Sequence, residues 1–222
     1  MMAIFDLDGI ILETEQEWND VRREFAARYG GHWGKDDQSA VIGANSMQWA
    51  EYMREQVGAQ LDPRDIYHGV VEGLPARYSQ HLPLIPGARE AIVDLAGQFR
   101  LAVASSSPIE LIEQSLELAG LRQYFAALVS SDEVAVGKPA PDVYLEACKR
   151  LGTVPARAVA IEDSSNGLWA ASAAGLAVIA VPNQAYPPTP EALELADVVL
   201  GSVVGVTGDI IRAIQREADD GR

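Results

Sequence analysis

An α/β fold, a doubly wound parallel sheet with an all-helical lobe inserted near its start, follows from three features of the chain. A short apolar run at the N-terminus ends in an acidic turn, Asp6-Leu7-Asp8-Gly9. A Trp-rich stretch with helical spacing follows it, and beyond residue 82 apolar strand-like runs alternate with helical patterns. The 222 residues, 48% of them hydrophobic, suffice for one substantial core and a smaller second one.

Taken in order, Met2 to Leu7 reads as a buried strand running into a turn at Asp8-Gly9. Residues 14–81 form the helical lobe. Trp18, Val21, Arg22 and Phe25 share one helical face, as do Trp49, Tyr52, Met53 and Gln56, with breaks at Gly30-Gly31, Gly43 and Asp62-Pro63. No strand pattern appears there. Residues 1–13 and 82–222 form the α/β core, with hinges near Leu12–Glu15 and Leu82–Pro86. Helices are expected from Pro86-Gly87 to Gly97, Ile109 to Ala119, Asp142 to Leu151 and Asn166 to Ala174; the last three stop at Gly120, Gly152 and Gly175. Strands are expected at Leu101–Ala104, Ala127–Ser130, Ala158–Ile161 and Ala177–Val181. Pro182 to Pro190 reads as a surface loop.

Acidic residues outnumber basic ones by 32 to 17, a formal net charge of -15, so the chain lacks the general basic surface that nucleic acid or anionic membrane requires. Its one cysteine, Cys148, excludes an intrachain disulfide and a cysteine zinc cluster, and its position in a helix makes it a packing residue. No segment is apolar for long enough to span a bilayer. With no basic leader or cleavage site ahead of the first strand, the expected compartment is the cytoplasm. A monomer is a plausible state.

The polar residues that matter gather at expected strand ends, where open parallel sheets bind ligands. The first strand delivers Asp6 and Asp8, which two-residue spacing turns to one face. The next ends in Ser105-Ser106-Ser107, another is followed by Gly137-Lys138-Pro139, and a further one ends in Glu162-Asp163-Ser164. Taken singly, the aspartates read as turn formers, Ser164 as a helix N-cap and Lys138 as a loop charge. Four strand ends so equipped point to one site.

In order and spacing these segments resemble the four motifs of the haloacid dehalogenase superfamily. The likeness is to the branch with a helical cap after the first motif, which holds sugar phosphatases and β-phosphoglucomutases. The resemblance implies Asp6 as nucleophile, Asp8 as general acid and base, and Ser105 with the Ser106 N–H and Lys138 as phosphate-binding groups. It implies Mg²⁺ held by Asp6, the Asp8 carbonyl and Asp163, with Glu162 in the outer shell or ligating directly. The implied activity is hydrolysis of a small sugar or polyol phosphate. The rival readings are a phosphomutase and a non-catalytic binding protein of the same fold.

Departures narrow this. Asp8 argues against dehalogenase and phosphonate chemistry, and Lys35, beside Asp36-Asp37, reads as surface. Trp18 stands where β-phosphoglucomutases carry a histidine, and the loop Ile42 to Trp49 has no Lys or Arg to grip a second phosphate. Glu13-Thr14-Glu15 with Trp18 resembles the hexitol and deoxyhexose phosphate phosphatases. Trp18 and Asn45 are the expected substrate-facing cap residues.

Overall fold

The structure, a computed structural model, describes residues 2–42, 44–56, 58 and 61–219. The break expected at Gly43 therefore lies outside the described residues. Six strands, β1 (Met2–Phe5), β2 (Arg100–Ser105), β3 (Phe125–Ser130), β4 (Ala158–Glu162), β5 (Ala177–Ala180) and β6 (Val198–Val199), form one parallel sheet in the order β3-β2-β1-β4-β5-β6. Side-chain alternation sends Ala3 and Phe5 to one face and Ile4 to the other.

Between β1 and β2 lie α1 (Glu15–Arg28), α2 (Lys35–Val41), α3 (Ser46–Gln56), α4 (Pro63–Val71), α5 (Leu74–Gln80) and α6 (Ala88–Ala96). The rest are α7 (Ile109–Leu118), α8 (Asp142–Leu151), α9 (Ser165–Ala173), α10 (Pro190–Leu193) and α11 (Gly208–Asp219). Ile92 of α6, Leu116 of α7 and Ile211 of α11 pack under Phe5, while Tyr144 of α8, Leu168 of α9 and Ala192 of α10 cover Ile4. Helices on both faces make the sheet doubly wound, and β1 and β4 flank the point where strand order reverses.

Helices α1 to α5 bury a further core around Trp18, Phe25, Trp49, Met53 and Val70, to which Leu111 of α7 adds. Among the described residues no named strand lies in this part of the chain. Its two connections to the sheet run side by side: Glu13 N–H donates to the Pro83 carbonyl at 2.8 Å and Ile85 N–H to the Ile11 carbonyl at 2.9 Å. Local chemistry sets the helix starts. Asp62 accepts from Arg64 N–H at 2.9 Å with Pro63 at the first helical position of α4, and Ser164 accepts from Gly167 N–H at 3.2 Å to open α9.

The structure departs from the sequence expectations at three places. β1 stops at Phe5 rather than Leu7, because the Leu7 carbonyl accepts from Ile11 and Leu12 N–H and not from a neighbouring strand. The Pro-rich loop ends in a short helix, α10, started by Thr189, whose hydroxyl accepts from Ala192 N–H. Two-residue β6 and α11 carry no pattern that a sequence reading picked out. No helix among the described residues is long and apolar enough to cross a membrane.

Candidate active site

The site opens where β1 and β4 end side by side. Asp6 N–H donates to the Ile161 carbonyl at 3.0 Å, which fixes the first residue after β1 against the end of β4. Asp6 Oδ1 accepts from Leu7 N–H at 2.7 Å and lies 3.1 Å from Lys138 Nζ. That ammonium, only 1% exposed, also donates to Glu162 Oε1 at 2.6 Å and to the Ala104 carbonyl at 3.0 Å. Its three protons thus have three acceptors. Burial works against the Lys138 charge, but Asp6 and Glu162 outweigh it and hold the ammonium above its ordinary range.

Glu162 has both oxygens committed. Oε1 also accepts from the Tyr144 hydroxyl at 2.6 Å, and Oε2 from Asp163 N–H at 3.1 Å. Gly167 makes room for this carboxylate, since a Cβ there would sit 1.9 Å from it. Gly167→Ala is expected to destabilise the protein by about 1–3 kcal/mol through overpacking; urea unfolding measures it, and an unchanged midpoint would show that the Glu162 carboxylate yields freely.

Asp8 does not share a strand face with Asp6, because both follow the end of β1. Both still line one cavity, and the chain turns just after them at Gly9, whose φ of +79° suits glycine. The Asp8 carboxylate is held by hydroxyls: Thr14 donates to Oδ1, and Ser105 and Ser107 to Oδ2 at 3.2 and 2.8 Å. Ser105 is fully buried behind Asp8 and orders the loop by accepting from Ser107 N–H at 3.0 Å. Ser106 and Ser107, not Ser105, line the cavity that Asp6, Asp8, Lys138 and Asp163 floor. Ser105, expected as a phosphate-binding group, has its hydroxyl turned to Asp8 by the loop that follows β2.

The carboxylates of Asp6, Glu162 and Asp163 offer oxygens within 4.8 Å of one another. Burial first, then the charge of Glu162, pushes Asp6 and Asp163 well above the usual carboxylate range, with Lys138 opposing. One ammonium does not neutralise such a group, and hard oxygen donors so crowded fit a divalent cation such as Mg²⁺. Gly9 belongs to this cradle, because a Cβ on it would lie 1.9 Å from Asp163 Oδ2.

The helical part roofs the cavity with Trp18, Arg22, Trp49, Glu15 and the residues around Ile42. It is tied to the sheet side by Ser46 and Tyr67 hydroxyls donating to Asp132 Oδ2 at 3.0 and 3.2 Å, and by Asn166 donating to the Ile42 carbonyl at 3.2 Å. Of the two expected cap residues, Trp18 lines the cavity and Asn45 does not. Asn45 and Gln48 exchange side-chain and backbone hydrogen bonds at 3.1 and 3.2 Å, a capping box that starts α3, and the Asn45 side chain abuts Gly137. Asn45→Ala is expected to cost about 1 kcal/mol of stability, as loss of an N-cap does, and to leave substrate ranking as it was; thermal unfolding and a substrate panel read the two effects.

Four contributors escaped the sequence reading. Ser107 closes the run Ser105-Ser106-Ser107 without a role of its own, Thr14 stands in Glu13-Thr14-Glu15, and Tyr144 has no local signal beyond its place in a helix. Arg22 had a visible signal, a lone cation in the apolar stripe Trp18, Val21, Arg22 and Phe25. A cation on the lobe was sought in the loop Ile42 to Trp49; the structure supplies one from α1 instead.

The family model for haloacid dehalogenase-like hydrolases matches residues 3–181. Hexitol phosphatase B of Escherichia coli K12 is 33% identical over 224 residues, covering 93% of this chain and 94% of its own. The bifunctional riboflavin kinase/FMN phosphatase of Arabidopsis thaliana is 32% identical over 92% of this chain, which spans only 54% of that longer protein. A variant of CbbY from Rhodobacter sphaeroides, solved with xylulose-1,5-bisphosphate, superposes with a TM-score of 0.84 at 30% identity, covering 95% of this chain and 97% of that one. With the family model spanning most of the chain and relatives named as phosphatases matching nearly all of it, this protein belongs to the haloacid dehalogenase-like hydrolases and is a phosphatase of that family.

Proposed function

We propose that the protein hydrolyses a small sugar or polyol phosphate with Mg²⁺, through a phosphoryl group carried on Asp6. The observation that carries this reading is the convergence of Asp6, Asp8 and Lys138 on one cavity at the sheet's switch point. Asp6 Oδ attacks phosphorus as the ester oxygen leaves, and Asp8 gives that oxygen its proton. A water molecule then attacks the aspartyl phosphate, Asp8 takes its proton, and inorganic phosphate departs with Asp6 restored. The hydroxyls of Thr14, Ser105 and Ser107 aim Asp8 in both steps. Lys138 neutralises charge as phosphorus transfers, and Glu162 holds Lys138 in place. Ser106 and Ser107 face the phosphate oxygens. Mg²⁺, held by Asp6, the Asp8 carbonyl and Asp163, would offset the charge between the carboxylates and the phosphate. A binding protein has no use for both Asp6 and Asp8.

The name of the Escherichia coli relative supports a polyol phosphate, and the complex of the CbbY variant raises a bisphosphate as the other reading. Release of inorganic phosphate from a panel of sugar, polyol and nucleotide phosphates, with and without Mg²⁺, tests the reaction. With β-glucose 1-phosphate and a sugar bisphosphate, phosphorus NMR is expected to show free phosphate; faster build-up of glucose 6-phosphate would restore the mutase. Asp163→Ala is expected to raise the Mg²⁺ concentration needed for activity sharply.

Metal binding also has a readout in stability. Asp6 and Asp163 hold protons more tightly folded than unfolded, so without metal their contribution is present at low pH and fades as pH rises through their raised values. Mg²⁺ requires them ionised, so it reverses that trend. Added Mg²⁺ is expected to raise the thermal midpoint more at pH 7.5 than at pH 5.5. Equal shifts at both would remove the two aspartates as its ligands.

A further inference from the structure

The roof of the cavity carries a charged group that the proposed reaction does not use. Arg22 lines the cavity yet is only 6% exposed, and its guanidinium carbon lies 4.8 Å from the ring centroid of Trp18, 5.0 Å from that of Trp49 and 5.8 Å from that of Trp33. Its one hydrogen bond among the described residues runs from Nη1 to Gln38 Oε1 at 3.2 Å, and Nε is buried without a partner. Among the described residues no carboxylate lies in ion-pair contact with it. Gln38, fully buried, donates its other amide end to Glu15 Oε2 at 2.8 Å, and Glu15 also lines the cavity. Burial draws Arg22 down to about 10, with Glu15 and Asp8 opposing, so it stays charged at neutral pH.

A desolvated guanidinium with donors to spare is costly unless something else satisfies it. Such a group in a cavity wall points to a ligand. What the ligand carries follows from charge. Lys138 and Arg22 are the only cations lining the cavity among the described residues, and Lys138 is already shared by Asp6 and Glu162. On the roof, Glu15 balances Arg22, so the wall facing the distal end of a substrate has no surplus positive charge. A second phosphate there would meet Glu15 and the acidic floor with half a partner. A hydroxyl meets a donor in Arg22 and an acceptor in Glu15, and the Trp18 and Trp49 rings offer apolar faces to C–H groups.

We propose that Arg22 and Glu15, coupled through Gln38 and walled by Trp18 and Trp49, form the subsite that selects the leaving group, taking an uncharged polyhydroxy chain and turning away a second anion. Selectivity then has an attractive element in Arg22 and a repulsive one in Glu15. The inference rests on the phosphatase reading above and names the residues that choose its substrate.

The test compares kcat/KM for sorbitol 6-phosphate, for ethyl phosphate, which has no distal hydroxyl, and for fructose 1,6-bisphosphate. The wild-type enzyme should favour sorbitol 6-phosphate over both. R22M keeps the length and apolar contacts of the stem, and it should lower the ratio of sorbitol 6-phosphate to ethyl phosphate by about 10- to 100-fold, the range for a charged hydrogen bond. E15Q keeps the shape and removes the charge. It should lower the same ratio and raise activity on the bisphosphate relative to sorbitol 6-phosphate. Equal losses on sorbitol 6-phosphate and ethyl phosphate in R22M, or a wild-type preference for the bisphosphate, would overturn the subsite while leaving the phosphatase intact. If R22M does not fold, E15Q decides alone, and unmoved ratios in it overturn the proposal. A wild-type protein that cleaves no ester with Mg²⁺ present overturns the phosphatase reading itself and the subsite with it.

Discussion

Asp6→Asn is expected to leave a folded protein that loses turnover by roughly 10⁴-fold or more and takes up no phosphoryl group, as loss of a nucleophile does elsewhere. Asparagine keeps the shape of the side chain, and its Oδ1 can still accept from Leu7 N–H, now 2.7 Å away. What it lacks is a carboxylate oxygen able to form the bond to phosphorus. Of the neighbouring carboxylates, Asp8 is engaged by three hydroxyls and Glu162 by Lys138 and Tyr144, and Asp163 is a proposed metal ligand. Quenching with acid and measuring protein mass during turnover reads the adduct directly. A variant that still hydrolyses its ester at more than a trace, or still gains the mass of a phosphoryl group, sinks the mechanism.

Lys138→Met should cost about 3–5 kcal/mol of stability, because it strips a buried ion pair of one partner and leaves the other charges behind. The acceptors left are Asp6, Glu162 and the Ala104 carbonyl. Burial of Glu162 is complete, so water cannot compensate it without opening the packing around Gly167. The same change removes a positive charge beside the transferring phosphoryl group, worth about 10²- to 10³-fold in kcat. Urea unfolding and steady-state kinetics on one preparation separate the effects. A stability loss under about 1 kcal/mol would mean that the Asp6 and Glu162 charges are balanced by something other than this lysine.

The strand ends and the Asp, Ser, Lys and Glu-Asp segments were legible because each lies within a few residues of a strong local pattern. An apolar run of four to six residues followed by polar or Gly residues marks a strand terminus, and parallel topology brings such termini together. β6 was not legible, because two residues show no period, and its place beside β5 rests on the Ile179↔Val198 and Ala180↔Val199 pairings. The direction of Asn45 was not legible, because it lies in a loop and a side chain in a loop has no period to orient it. Its capping box with Gln48 turned it toward the start of α3.

Sequence alone carried the alternation of strands and helices, the helical stretch between the first two strands, the membership implied by four motifs and the placing of Asp6, Asp8, Lys138 and Asp163 beside strand ends that line one cavity. These rest on short-range order, which hydrophobic period and residue type encode directly. Tertiary structure decided what depends on partners distant in the chain. It turned Ser105 to Asp8 and left Ser106 and Ser107 on the cavity wall, tied up Glu162 with Lys138 and Tyr144, and set Arg22 beside Gln38 and three tryptophans. Residue 22 meets residues 38 and 49 only once the lobe has packed, and whether its charge faces solvent, a carboxylate or a cavity is settled by that packing and by nothing local.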